Sequence, residues 1–291
     1  MFQVLPIFTE EQFVGEAALR RTLEIVGLAR EIATCHSDDV AIVECGDDID
    51  RIIESGRIAL LIALEGAEPI GSSLSLLETA WRLGVRMASL TWNRRTMMAD
   101  GIGEADTGGR LASLGVDAVK EMNRLGMVLD ISHLSAPGVE HVSQIADRPF
   151  VATHSSCRAL CDHPRNLTDD QMRAVAASGG FVAMNAFGAF VSMADPTLED
   201  FIDHIEHAAS QIGEDRVAIG ADFVDDLFRM VDPVLGRQLL VSPDDLSVIP
   251  DFKAPSHYAK LSERLVKRLG LEQATRVASG NMLDFFRANL P

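Results

Sequence analysis

The stretch Ile58-Ala59-Leu60-Leu61-Ile62-Ala63-Leu64-Glu65-Gly66 decides the fold class of this chain. Seven apolar residues without alternation have the length and character of a strand buried on both faces. A carboxylate and a glycine close the run. Similar short runs recur at residues 3–8, 86–91, 126–132, 150–154, 180–185 and 216–222. Between them, residues 10–33, 72–83, 107–125, 136–145, 168–177 and 197–212 place apolar side chains at helical spacing, and helices at 257–269 and 271–289 close the chain. Residues 40–45 read as an extra strand or a buried loop segment. Residues 223–255, with Pro233, Pro243, Pro250 and Pro255, read as a long loop.

Strands that alternate with helices imply a parallel sheet covered by helices. Seven such units fall one short of the eight in a (β/α)8 TIM-type barrel. A doubly wound open sheet is the alternative, but no GxGxxG follows an early strand to give it a nucleotide site. No linker or low-complexity segment divides the chain, so a single domain over 1–291 is expected.

Composition narrows the function. The 291 residues are 47% hydrophobic and 24% charged, the mixture of a folded protein. Lys and Arg number 26 against 43 Asp and Glu, and the net charge of -17 repels phosphate backbones and anionic lipid. No nucleic-acid partner is expected. No apolar run approaches the ~18 residues of a membrane span. The first eight residues lack the basic start of a signal peptide, which gives a cytoplasmic expectation. Four cysteines, Cys35, Cys45, Cys157 and Cys161, are too few for a disulfide framework.

The residues able to bind metal cluster at strand ends. Glu65 closes the run at 58–64, His133 the run ending at Ser132, His154 the run ending at Thr153, and Asp222 the run ending at Ala221. In a barrel these ends share the face where active sites are built. Two imidazoles and two carboxylates suit Zn2+. His36, His141, His204, His207 and His257 fall in helices or at their ends. His204 and His207, three apart with no HExxH pattern, are expected on the surface.

Several longer motifs extend this pattern in register. They are Ala63-Leu64-Glu65-Gly66, Leu90-Thr91-Trp92-Asn93-Arg94 with Ala99-Asp100-Gly101, and Asp130-Ile131-Ser132-His133-Leu134-Ser135. Then come Thr153-His154-Ser155-Ser156-Cys157-Arg158-Ala159, His163-Pro164-Arg165-Asn166-Leu167 and Gly280-Asn281-Met282-Leu283. In order and spacing the chain resembles the membrane (renal) dipeptidase family, peptidase family M19.

That resemblance implies a (β/α)8 barrel of the metal-dependent hydrolase kind, with a two-zinc site that hydrolyses dipeptides, and a homodimer. Carried over, Glu65 bridges both metals, while His133 and His154 complete the second. Asp222 handles the proton of the bridging water. Arg165 grips the substrate carboxylate, with Asn166 beside it in the substrate loop; a guanidinium fork meets a carboxylate bidentately.

The departure lies at the N-terminus. The family's first strand ends in a His-x-Asp pair that supplies the other ligands of the first metal. Here the first histidine is His36, and His36-Ser37-Asp38 falls at the end of the first long helix. Residues 3–8 match the family's second strand, so the expected barrel lacks the first strand, through a mis-called start, a fragment or a degenerate member. One zinc or none is expected in this chain. The alternatives are a catalytically impaired metal- or ligand-binding barrel, and a related amidohydrolase acting on other small amides or lactones. Smaller departures are Val224-Asp225-Asp226 after Asp222-Phe223, and Asp284 where many relatives carry a basic residue.

Overall fold

The computed structural model describes residues 1–224 and 247–291. They divide into two units, Met1–Val151 with Leu283–Pro291, and Ala152–Met282.

The first unit is organised around β3 (Ile58–Glu65), the run read first in the sequence. Leu61 and Ile62 at its centre are wholly buried, which explains the missing alternation. β1 (Phe2–Phe8) lies parallel to β3 along its whole length, from Phe2 opposite Ala59 to Phe8 opposite Glu65. β2 (Val40–Ile42) pairs with the first residues of β3, and β4 (Val85–Ser89) with the later ones. β5 (Val128–Asp130) and β6 (Phe150–Val151) continue the parallel order. The short run at 40–45 is therefore a strand.

Helices follow the strands in this unit. α1 (Glu16–Cys35) buries Ala18, Thr22, Val26 and Ala29, one face of a 3.6-residue period. α3 (Ser75–Arg82) lies within the expected 72–83, α4 (Ser113–Leu125) begins six residues after the expected start at 107, and α5 (Ala136–Ile145) has the expected bounds. The sequence reading missed α2 (Gly46–Glu54). Its apolar residues Ile49, Ile52 and Ile53 keep helical spacing but cover little more than one turn, and its start is capped: the Asp48 carboxylate accepts from the amides of Glu44 (2.9 Å) and Cys45 (3.1 Å). The end of the chain returns to this unit. Phe286 packs on Phe2 at 5.2 Å, and the Arg287 Nη2 donates to Asp50 at 2.6 Å.

In the second unit β7 (Val182–Met184) and β8 (Val217–Ile219) pair in parallel, and Ala152 bridges Val182. α6 (Asp169–Ala177) and α8 (Leu198–Ile212) each open with a capping box, Thr168 with Gln171 and Thr197 with Asp200. α7 (Gly188–Val191) is a single turn. Arg268, on α9 (Tyr258–Leu269), meets Glu199, Asp203 and Glu206 on α8, which raise its pKa further.

The helix expected over 271–289 has three parts. α10 (Leu271–Thr275) runs into a π turn (Arg276–Gly280) and then α11 (Asn281–Asn289). The extra residue of the π turn accompanies a buried Asn281, whose amide donates to the carbonyls of Glu214 (2.7 Å) and Val217 (2.8 Å). Of the loop expected over 223–255, residues 225–246 lie outside the described residues. Its described end is core: Phe252 is wholly buried against Phe201 at 5.3 Å.

His204 corrects the sequence reading. It is buried, not on the surface, and sits on the inner face of α8 with Phe201 and Ile205. Its Nδ1 accepts from the Cys157 amide (2.9 Å), and its Nε2 lies 3.0 Å from the Val191 carbonyl. Satisfying both ring nitrogens makes an imidazole tolerable in a core. His207 is half-buried and paired with Asp169 at 2.9 Å. Next to His204, the Cys157 thiol lies among Met172 and Met184, and burial pushes its pKa up to about 12.

Burial also lowers the pKa of His204 below its ordinary 6.5. On acidification the unfolded chain then takes up this proton before the folded one does. The contribution of His204 is complete above about pH 6.5 and is lost as pH falls below it. Thermal unfolding between pH 7.5 and 5.5 should show this loss, with a shallower pH slope in His204→Gln. An unchanged slope would rule His204 out as its source.

Candidate functional site

Glu65 is the last residue of β3, and the backbone turns away at once through Gly66, whose φ of 103° is open to glycine without strain. The Gly66 amide donates to Ser89 Oγ (2.8 Å), and that hydroxyl donates to the Thr91 carbonyl (3.0 Å). The ends of β3 and β4 are thereby tied together.

His133 lies three residues beyond β5. The Asp130 carboxylate accepts from both the amide (3.0 Å) and the hydroxyl (2.8 Å) of Ser132, which makes the turn that leads to it. His133 itself has φ 69°, a left-handed conformation uncommon outside glycine. Its Nε2 comes 3.1 Å from Glu65 Oε1. Its Nδ1 lies 2.8 Å from Asn93 Oδ1, which can only accept, so Nδ1 carries a proton. The ring packs at 5.7 Å from Trp92, and Trp92 packs at 4.9 Å from Phe8.

In the second unit the Thr153 hydroxyl lies 2.8 Å from His154 Nδ1. The His154 carbonyl accepts from Arg165 Nη2 at 3.3 Å and lies 3.4 Å from Asn185 Nδ2. Arg165 is buried, with its guanidinium 5.4 Å over the Phe190 ring. Asp222, three residues beyond β8, also has a left-handed φ of 53°. Its Oδ2 accepts from Asn185 Nδ2 at 3.1 Å. Asn166 directs its amide inward, donating to the carbonyls of Cys161 and Phe190, both at 2.8 Å. Its neighbour His163 accepts the Arg165 amide (3.1 Å); burial, then the charges of Arg165 and Arg158, lower its pKa.

Each expected site residue therefore lies at or just beyond a strand end, or in the 163–167 loop. Within the first unit, Glu65 and His133 bring a carboxylate oxygen and an imidazole nitrogen, both possible metal-binding atoms, to 3.1 Å. His36 lies just past the end of α1. Asn93, Thr153 and Asn185 were missed. They satisfy the positional rule that selected the other residues, but an amide or a hydroxyl is not a usual zinc ligand, and a search by ligand type passes over them.

The model of the membrane dipeptidase family, peptidase family M19, matches residues 1–234. The chain belongs to that family. Dipeptidase verJ of Clonostachys rogersoniana is 34% identical over 218 residues, covering 74% of this chain and 56% of its own. Dipeptidase tcpJ of Claviceps purpurea is 33% identical over 214 residues, covering 72% and 50%. The chain thus spans about half the length of the curated M19 relatives it matches. A crystal structure of an M19 metallopeptidase, dipeptidase AC, superposes with a TM-score of 0.87 at 23% identity, over 99% of this chain and 86% of that one. A metallopeptidase from Rhodobacter sphaeroides, solved with a phosphinate mimic of L-Ala-D-Ala, gives 0.86 at 23% identity over the same shares. At these identities the likeness concerns the fold, an α/β arrangement of parallel strands and helices in the TIM-type barrel class.

The close packing that leads into Asp222 is testable at Gly220, between β8 and Asp222. A side-chain carbon there would collide with the Thr153 backbone oxygen, which cannot rotate away. Gly220→Ala should therefore destabilise by the upper part of the ~1–3 kcal/mol of overpacked sites, or more. Gly27→Ala, with nothing within 4 Å on the exposed side of α1, should stabilise by ~0.8–1 kcal/mol. Denaturant unfolding of the two variants decides the contrast, and equal effects would contradict it.

Proposed function

We propose that this chain carries the hydrolytic centre of a zinc-dependent dipeptidase, with Glu65, His133 and His154 as metal ligands. The observation that carries the reading is the facing pair of Glu65 Oε1 and His133 Nε2, 3.1 Å apart. With Nδ1–H donated to Asn93, His133 Nε2 offers a lone pair, and a carboxylate oxygen offers another. Two electron-pair donors so close require a cation between them, a shared proton or a metal ion. Imidazole and carboxylate are the donors zinc prefers, and an outer hydrogen bond that fixes the imidazole tautomer is the usual companion of a ligating histidine. The Thr153 hydroxyl beside His154 Nδ1 is a second such partner.

When bound, zinc supplies Lewis-acid polarisation of a carbonyl and acidifies water. The other roles belong to the chain. Arg165, held by the His154 carbonyl and the Phe190 ring, binds the free carboxylate of the dipeptide. Asn166 serves that binding by fixing the turn that carries Arg165. Asp222 takes the proton released by the attacking water and delivers it to the leaving amine. The water oxygen bonds to the scissile carbonyl carbon, the C–N bond breaks, and the proton carried by Asp222 leaves on the freed amine, so the step balances.

Elemental analysis of the purified protein after zinc loading and dialysis is the first test. Stoichiometric zinc supports the reading; a zinc-free protein would leave Glu65 and His133 as an ordinary ion pair and end it. Asn93→Leu should weaken zinc affinity by ~10–100-fold. L-Ala-D-Ala is the probe dipeptide. Arg165→Lys should lower kcat/KM on it by ~10–100-fold, the worth of one charge-assisted hydrogen bond at ~1.5–3 kcal/mol, and leave any slow turnover of the amidated dipeptide unchanged. Equal losses on both substrates would remove Arg165 from carboxylate recognition.

A further inference from the structure

Asn185 stands one residue beyond β7 with no exposed surface. A buried amide is stable only when its donors and acceptor are satisfied, so its partners define its orientation. Its Oδ1 accepts from the Phe187 amide at 2.7 Å, which fixes which end of the amide faces which way. Its backbone oxygen accepts from the Ser156 hydroxyl at 2.9 Å. Held from both sides, the residue presents Nδ2 to Asp222 Oδ2 at 3.1 Å, with the His154 carbonyl at 3.4 Å.

Asp222 needs such a partner. It projects from a left-handed backbone that Asp tolerates better than most residues, and no shared strand geometry sets its side-chain torsion. A neutral donor on Oδ2 selects one rotamer and turns Oδ1 away from Asn185. Arg165 Nη2 is tied to the same His154 carbonyl. The residue that handles the proton and the residue that grips the carboxylate are thus referred to one fixed atom of the backbone.

We propose that Asn185 is a positioning residue for the hydrolytic reaction, holding Asp222 in register with the Arg165 anchor. The catalytic consequence rests on the dipeptidase reading; the Asn185–Asp222 bond itself does not. Two substitutions probe it. Asn185→Asp keeps the volume and the acceptor for Phe187 but sets a carboxylate against Asp222. Asn185→Ala removes the amide altogether.

On zinc-loaded protein with L-Ala-D-Ala, either change should lower kcat by ~10–100-fold, with KM held within about twofold and zinc content unchanged. In an Asp222→Asn background, the Asn185→Ala change should have little further effect on kcat, because residues that act through one another are not additive. An equal fold-loss in both backgrounds would overturn the proposal and reduce Asn185 to a packing residue. Thermal unfolding gives a readout free of activity. Asn185→Asp alone should lower Tm, and combining it with Asp222→Asn, which restores a donor–acceptor pair in reverse, should recover most of that loss. A double variant no more stable than Asn185→Asp would overturn the bond. Should the wild-type protein hydrolyse no dipeptide, the dipeptidase reading falls, and the Tm of the exchanged pair still decides between positioning and packing.

Discussion

Parallel strand pairing is the constraint from which the rest follows. Strands that run the same way all release their chains at the same edge, so residues just past their ends become neighbours even when far apart in sequence. In the first unit this brings Glu65, the last residue of β3, to His133, three residues past β5. In the second it brings Asn185, one residue past β7, to Asp222, three past β8. The strand interiors are apolar because helices cover their faces. Polar chemistry is thereby confined to the exits.

The two carboxylates that matter most for local geometry are held differently. Asp100 is bound by the Arg95 guanidinium and by the Thr107 hydroxyl, which keep its carboxyl below the usual range. Its charge is already neutralised by a neighbour, and it shapes the loop that contains residues 93–109. Asp222 accepts instead from the neutral amide of Asn185. A neutral donor orients a carboxylate without cancelling its charge, which suits the proton-handling role proposed for Asp222. Asn93 does the corresponding work for His133, accepting one ring proton and leaving the other nitrogen to face Glu65.

Much of this was legible in the sequence because it depends on local pattern. The unbroken apolar run at 58–64 became β3, and the helical spacing over 136–145 became α5 with the same bounds. The ends of such runs also carry Glu65, His133, His154 and Asp222, and the structure has each of them at or just beyond a strand end. What stayed hidden depends on partners distant in sequence. α2 is nine residues with only one turn of apolar spacing, Ile49 to Ile53, and draws its start from Asp48 reaching back to two amides. His204 reads as a surface residue in the sequence because no HExxH pattern accompanies it and His207; the Cys157 amide and the Val191 carbonyl, 47 and 13 positions away, make it a core residue. The π turn before Asn281 has no periodic signature, since one inserted residue shifts the phase without changing composition.

The left-handed backbone at His133 and Asp222 also limits how this chain can drift. Branched side chains such as Val or Ile clash in that conformation, whereas Gly, Asn and Asp enter it at low cost. The substitutions the backbone accepts most readily at these two places are therefore ones that remove the imidazole, or exchange the carboxylate for an amide of the same shape. A descendant could lose its chemistry there in a single step and keep its fold. Under the metal-ligand role proposed for His133, keeping the histidine means holding a side chain in a conformation that backbone sterics disfavour, so selection on activity and selection on stability act on position 133 in opposite directions.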